Sequence, residues 1–308
     1  VPPARLSPAD LFPDADFRHK LRLTRGPAAE FFGPWSPPPP PTPGDTDTDT
    51  AIGSATDTQQ TPHPSPLLVE RRHWLRTEPS RHAPVRLPEA APLIRETTRL
   101  AAAWGAAPAD DCPDPYAAWI DLAGQLEPDL VLLARQPSQP RFVMVAGAVC
   151  FPSAWAPETK LGLTLDAIHA VVPGLNAELG APIDAFLDRL RPGPAWFRSN
   201  WGLAASTELN HHPARELPRL RWPMDPDSIQ VRLEHQALLA LPDTGGILFG
   251  IRVELIPLED FRRDPLLAAG LARALRSMPE PLARYKGLGD VRPRPRTKTS
   301  CRSREARK

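Results

Sequence analysis

The residue best placed to hold a metal is His169, one of eight histidines. It lies in Lys160-Leu-Gly-Leu-Thr-Leu-Asp-Ala-Ile-His-Ala-Val-Val-Pro-Gly174. A neutral imidazole in such a stretch could give its outer nitrogen to an iron while the neighbouring leucines and valines wall a porphyrin. A helix-end histidine that bonds a nearby carbonyl is the plainer alternative. His211 and His212 precede Pro213 in a polar loop, where adjacent side chains point different ways and suit surface or capping roles. His235 falls on the apolar face of an alternating run and reads as a hydrogen-bonded core residue.

That run, Arg232-Leu233-Glu234-His235-Gln236, puts Arg232, Glu234 and Gln236 on one face of a strand. Arg198 and Asn200 on the preceding strand would extend the same polar surface. Two readings stay open on the pattern alone. The set could be the solvated side of a sheet. It could equally line a pocket, where an arginine meets a carboxylate such as a haem propionate and Glu234 holds a cationic amine.

Several chemistries lack their signatures. No G-x-G-x-x-G follows a strand, and no P-loop, G-x-S-x-G or H-E-x-x-H occurs. Cys112, Cys150 and Cys301 are the only cysteines, too few for a four-thiolate cluster and too scattered for a disulfide framework. An oxidoreductase built this way would receive electrons from a group bound elsewhere. Lys plus Arg total 37 against 36 for Asp plus Glu, and the only basic cluster is the terminal Arg292 to Lys308. Nucleic-acid binding is therefore not expected. The longest apolar run, Phe142 to Phe151, is far short of the roughly 20 residues that span a bilayer, and no signal peptide opens the sequence. The expectation is a soluble, intracellular and cytoplasmic protein with no membrane contact. Because the sequence opens at Val1 rather than Met, a lost N-terminal targeting segment stays open.

The elements that must position these residues can be read from texture. Forty-two prolines occur, and many gather in residues 36–66, a Pro/Thr/Asp-rich insert too polar to offset the entropy of ordering. Residues 1–35 are expected to pack on the folded part as an N-terminal segment, and 289–308 to form a disordered basic tail. Within 67–288, Leu67 to Trp104 reads as helical with breaks at Pro79, Pro84, Pro88 and Pro92, and Asp114 to Leu126 as a second helix. Leu130 to Leu133 and Arg141 to Phe151 read as a hairpin. Helices come next at Thr164 to His169 and Leu175 to Leu190, then strands at Ala195 to Leu203, Ile229 to Leu241 and Gly246 to Pro257. The last two are joined by a Gly-Gly turn, and a helix over Asp264 to Met278 closes. The expected fold class is α+β: a PAS-like five-stranded antiparallel sheet with helices inserted after the second strand, plus N-terminal and C-terminal helices.

Taken in order, Val149-Cys-Phe-Pro-Ser-Ala-Trp155, Lys160-Leu-Gly162, Ile168-His169 with Val172-Pro-Gly174, Arg198-Ser-Asn-Trp201, Arg232-Leu-Glu-His-Gln236 through Leu241-Pro242, Gly246-Ile-Leu-Phe249 and Tyr285-Lys-Gly287 resemble the α subunit of haem-dependent oxidative N-demethylase. The resemblance runs over roughly Leu11 to Leu288, interrupted by the insert. It implies a PAS-like domain over 67–288 that binds b-type haem and oxidises a small secondary amine such as dimethylamine with O₂, releasing formaldehyde. Electrons would come from NADPH through a separate flavin and iron–sulfur reductase, with no flavin, iron–sulfur or nicotinamide site in this chain. It further implies His169 as the axial ligand, Lys160, Arg198 and Asn200 beside the cofactor, and Glu234 and Arg232 in catalytic roles. Two departures stand out: Val171 sits where the family commonly has proline, and no recognisable helix comes after Leu288. A non-catalytic haem or small-molecule sensor on the same fold is the alternative.

Overall fold

Most helices in this chain begin where a proline or an acidic cap meets an apolar stripe. Proline occupies the first turn of most of them, where its missing N–H costs nothing. The Asp114 side chain accepts from Tyr116 N at 2.9 Å, and Asp264 accepts from Leu266 N and Leu267 N at 2.8 and 3.2 Å. The computed structural model describes Phe17, His19 and residues 22–34, 65–108, 112–137, 139–221 and 223–291. The expected insert and basic tail lie outside the described residues except for Ser65, Pro66 and 289–291.

In chain order come β1 (Thr24–Gly26), α1 (Ala28–Phe32), α2 (Pro66–Thr77), α3 (Pro79–His82), α4 (Ala91–Ala103) and α5 (Pro115–Ala123). Strands β2 (Asp129–Gln136) and β3 (Gln139–Ala148) form a hairpin, which leads into α6 (Leu165–His169) and α7 (Leu175–Arg189). Strands β4 (Ala195–Ala204), β5 (Gln230–Ala240) and β6 (Ile247–Pro257) then precede α8 (Leu258–Arg263), α9 (Pro265–Ser277) and α10 (Glu280–Tyr285).

The strands make one antiparallel sheet in the order β1-β4-β5-β6-β2-β3. The expected five-stranded sheet is thus six-stranded among the described residues. The addition is β1, whose three residues pair Thr24↔Phe197, Arg25↔Trp196 and Gly26↔Ala195. So short a strand carries no period to read. Helix α1 anchors it, because Phe31 and Phe32 lie directly on Gly250 of β6. A Cβ at Gly250 would come within 2.4 Å of the Phe32 ring.

Cross-strand partners share a sheet face, which sorts the packing into two layers. One face buries Leu130, Leu132, Leu239 and Leu248 against α1, α4 and α5, where Ile94, Trp119 and Leu122 are fully buried. Further along that face, Trp201, Val231 and Leu233 pack on Phe261, Leu271 and Leu282 of the C-terminal helices. On the other face, Ile183, Leu187 and Ile168 of α6 and α7 meet Val131, Leu133, Leu238 and Phe249. The tip of the β5–β6 hairpin is tied back to α4. Buried Glu96 accepts from Asp243 N at 2.6 Å and from Thr244 N and Oγ1 at 2.9 and 2.6 Å.

An ion pair sits at the centre of the molecule. Arg71 of α2 donates to Asp129 at 2.8 Å with both side chains essentially inaccessible. Asp129 also accepts from Cys150 N at 2.8 Å and Phe151 N at 3.1 Å, and Arg71 donates to Glu127 O at 2.6 Å. Removing one partner leaves a buried charge unpaired. Arg71→Ala is therefore expected to cost about 3–5 kcal/mol of unfolding free energy, measured from urea midpoints. Arg81→Ala, which breaks an exposed pair with Glu78, should cost less than about 1 kcal/mol. Equal losses would show that the buried pair is not special.

Candidate functional site

The register of β4 against β5 brings the polar residues together. Arg198 pairs with Gln236, Asn200 with Glu234 and Gly202 with Arg232. All six lie on the sheet face that α6 and α7 cover, continuous with Leu238 and Phe249. Arg232 is only 4% exposed, so this stretch is not a solvated face.

Glu234 is the hub. Its Oε1 accepts from Ser153 Oγ, and its Oε2 accepts from Gln236 Nε2 at 2.9 Å and Asn200 Nδ2 at 3.2 Å. Arg232 reaches the same carboxylate through Ser153, donating Nε to Ser153 Oγ at 2.7 Å, and anchors Nη2 on Phe151 O at 2.7 Å. On the far side, Lys286, just after α10, donates Nζ to Trp201 O at 2.7 Å and to Asn200 Oδ1 at 3.4 Å. The result is one hydrogen-bonded chain from Arg232 to Lys286 with a single carboxylate near its middle.

Cations outnumber that carboxylate. Arg198, Arg232 and Lys286 all feel Glu234. Burial pushes each of them below its usual pKa, Lys286 to about 8, while Glu234 pulls the other way. Arg198 and Arg232 are also not saturated. Arg198 Nε and Arg232 Nη1 are buried without a hydrogen-bond partner. Beside them Gly202 faces open space, since a Cβ there would meet nothing within 4 Å.

His169 ends α6 over the same face. Its imidazole makes no hydrogen bond to another described residue. Burial, reinforced by the positive charge of Arg198, pushes its pKa down, with Asp166 opposing. A neutral ring with a free nitrogen is what metal ligation requires. The plainer reading, a histidine spent on a carbonyl, fits His82 instead, which bonds Val149 O at 2.9 Å.

The other expected residues separate. Lys160 ends the 3₁₀ turn Pro157–Thr159, and no hydrogen bond or ion pair joins its ammonium to Arg198, Asn200, Arg232 or Glu234. His212 caps the turn Pro213–Arg215 by accepting from Ala214 N, and also meets Glu158 at 3.2 Å. His235 points to the opposite face and meets Glu254 at 3.0 Å. His211 bonds Glu208 O at 2.9 Å, and burial with nearby Arg232 pushes its pKa down to about 4. A separate recess of about 180 Å³ lies between α6, α7 and the β2–β3 hairpin. Its charges pair with one another, Arg141 with Asp166 at 3.1 Å and with Asp184 at 3.6 Å.

Ser153 and Lys286 are the members that strand alternation does not reveal. Both come from loops, and only their place in the matched stretches Val149–Trp155 and Tyr285–Gly287 marks them. Among the described residues no helix is long and apolar enough to cross a membrane, and no cluster of three His, Cys, Asp or Glu side chains could hold a bare metal ion. The family model described as haem-dependent oxidative N-demethylase, alpha subunit-like, matches residues 98–294, which include α6, all the strands but β1 and every member of the cluster. With more than half its length matched and its polar cluster inside the matched span, the chain belongs to the haem-dependent oxidative N-demethylase alpha subunit-like family.

Proposed function

We propose that the chain binds b-type haem in a PAS-like domain and oxidatively demethylates a small secondary amine of the dimethylamine kind. The carrying observation is the pairing of an uncommitted, neutral His169 with a carboxylate held by three donors across the same covered face. The PAS-like reading rests on strands β2 to β6, which take the sheet order β4-β5-β6-β2-β3 with α6 and α7 between β3 and β4. The site-bearing unit would span 67–288; of the expected N-terminal segment 1–35, only Phe17, His19 and residues 22–34 lie among the described residues.

The residues present fit the cofactor. His169 would give an imidazole nitrogen to the iron, and the unpartnered donors of Arg198 and Arg232 would suit propionates. Lys160 and Asn200 would border the group, and Gly202 would put no side chain in its way. Haem, when bound, supplies O₂ activation, with electrons from a separate flavin and iron–sulfur reductase. The chain's own part is binding and orientation. Glu234 attracts the ammonium, while Ser153, Asn200 and Gln236 keep the carboxylate from turning away. Arg232 steadies Ser153 and offsets the charge of Glu234.

Two outcomes test this. The haem-loaded chain should show a Soret band that His169→Ala abolishes or shifts. No band in the wild type would end the proposal, and a band without amine-dependent O₂ consumption would make the protein a binding module instead. Glu234→Gln should keep the band but raise KM for dimethylamine about 10–100-fold, the loss of one charge-assisted bond of about 1.5–3 kcal/mol. An unchanged KM would move the amine site elsewhere.

A further inference from the structure

We propose that Lys286 is the base that removes the proton from the substrate's ammonium, an assignment that rests on the amine-oxidising reading above. Small dialkylamines are cations near neutral pH, and their oxidation needs the nitrogen lone pair that the proton occupies. Glu234 can attract such a cation, but carboxylates as a class are far too weak as bases to deprotonate it. A second group must do so.

The geometry points to Nζ of Lys286. A neutral amine has two N–H bonds and one lone pair. Trp201 O at 2.7 Å and Asn200 Oδ1 at 3.4 Å accept from Nζ, and no third acceptor bonds it among the described residues. Two acceptors use both N–H bonds of the neutral form and leave its lone pair free. The same Asn200 donates Nδ2 to Glu234 at 3.2 Å, so an ammonium seated on Glu234 is one amide group away from Nζ. In the transfer, an N–H bond of the substrate breaks, its electron pair stays on the substrate nitrogen, and the proton bonds to the Nζ lone pair. The Trp201 ring, 5.6 Å from Nζ, favours the cation once it has formed.

The charges facing Lys286 agree. Burial lowers its pKa to about 8, Glu234 of β5 raises it and Arg198 of β4 lowers it. Tyr285 on its own segment keeps its proton more firmly than usual, through burial and Glu234. Arg232 bears on the group only through Ser153 and Glu234. Below about pH 8 the lysine is protonated and cannot accept, so the base is lost as the pH falls.

The test uses the haem-loaded chain. Wild-type kcat/KM for dimethylamine should fall about tenfold per pH unit below about 8. Lys286→Met should lose that limb and drop about 10²–10⁴-fold with the Soret band intact. Lys286→Arg, which keeps the charge but never releases a proton, should be as poor, whereas rescue by arginine would mean a purely structural role. An activity-independent measurement tracks the lysine Cε resonances by NMR. The chain has five lysines, and the signal missing from Lys286→Met should titrate near pH 8 in the wild type. Titration above about pH 10, the ordinary lysine range, or an unchanged pH limb in Lys286→Met, overturns the base and leaves the amine-oxidising reading standing. Absence of any amine-dependent O₂ consumption overturns that reading and the base together.

Discussion

The buried Arg71–Asp129 pair is the constraint on which the rest of the molecule turns. Two charges without water are tolerable only when most of their lone pairs and protons find partners, and here, Arg71 Nε apart, the partners are backbone groups from distant parts of the chain. Asp129 captures the amides of Cys150 and Phe151 just after β3. That capture sets the direction of the next loop, presenting Phe151 O and Ser153 to Arg232. The polar cluster on β4 and β5 therefore inherits its geometry from a salt bridge on the far side of the hairpin. Cys150, enclosed in the same knot with its thiol pKa pushed up to about 12, packs as a small inert hydrophobe.

Much of this was legible in the sequence. Strands with clean alternation, such as Val231 to Leu239, fall within β5 with the expected residues on each face. The Gly-Gly turn closes the hairpin, and Gly245 takes the positive φ of 67° that such a turn needs. Two of the expected breaks, Pro79 and Pro92, fall in the first turns of α3 and α4. The elements that escaped reading did so for physical causes. Strand β1 and helix α1 are too short to show a period and exist because Phe31 and Phe32 find the bare backbone of Gly250. Helices α8 and α10 flank the expected C-terminal helix and lie beyond the span its apolar stripe suggests.

For the candidate site, alternation put Arg232, Glu234 and Gln236 on one face with Arg198 and Asn200 extending it, and the register Arg198↔Gln236 and Asn200↔Glu234 brings them side by side. Alternation could not tell a pocket from a solvated face, because that depends on where α6 and α7 lie. The burial of Arg232 follows only once the helices are in place. Ser153 and Lys286 came from loops, where no periodicity assigns a direction. Lys160, by contrast, sits in a matched motif yet stays apart from the hydrogen-bonded cluster.

The tie between Glu96 and the tip of the β5–β6 hairpin reaches further than the turn itself. Side chains alternate along a strand, so sliding β5 by a single residue would send His235 inward and Glu234 to the opposite layer. Three bonds from one carboxylate at Asp243 and Thr244 lock the hairpin to α4 and oppose that slip. A glutamate distant from any chemistry thus acts as the index mark that decides which of two neighbouring residues the covered face receives.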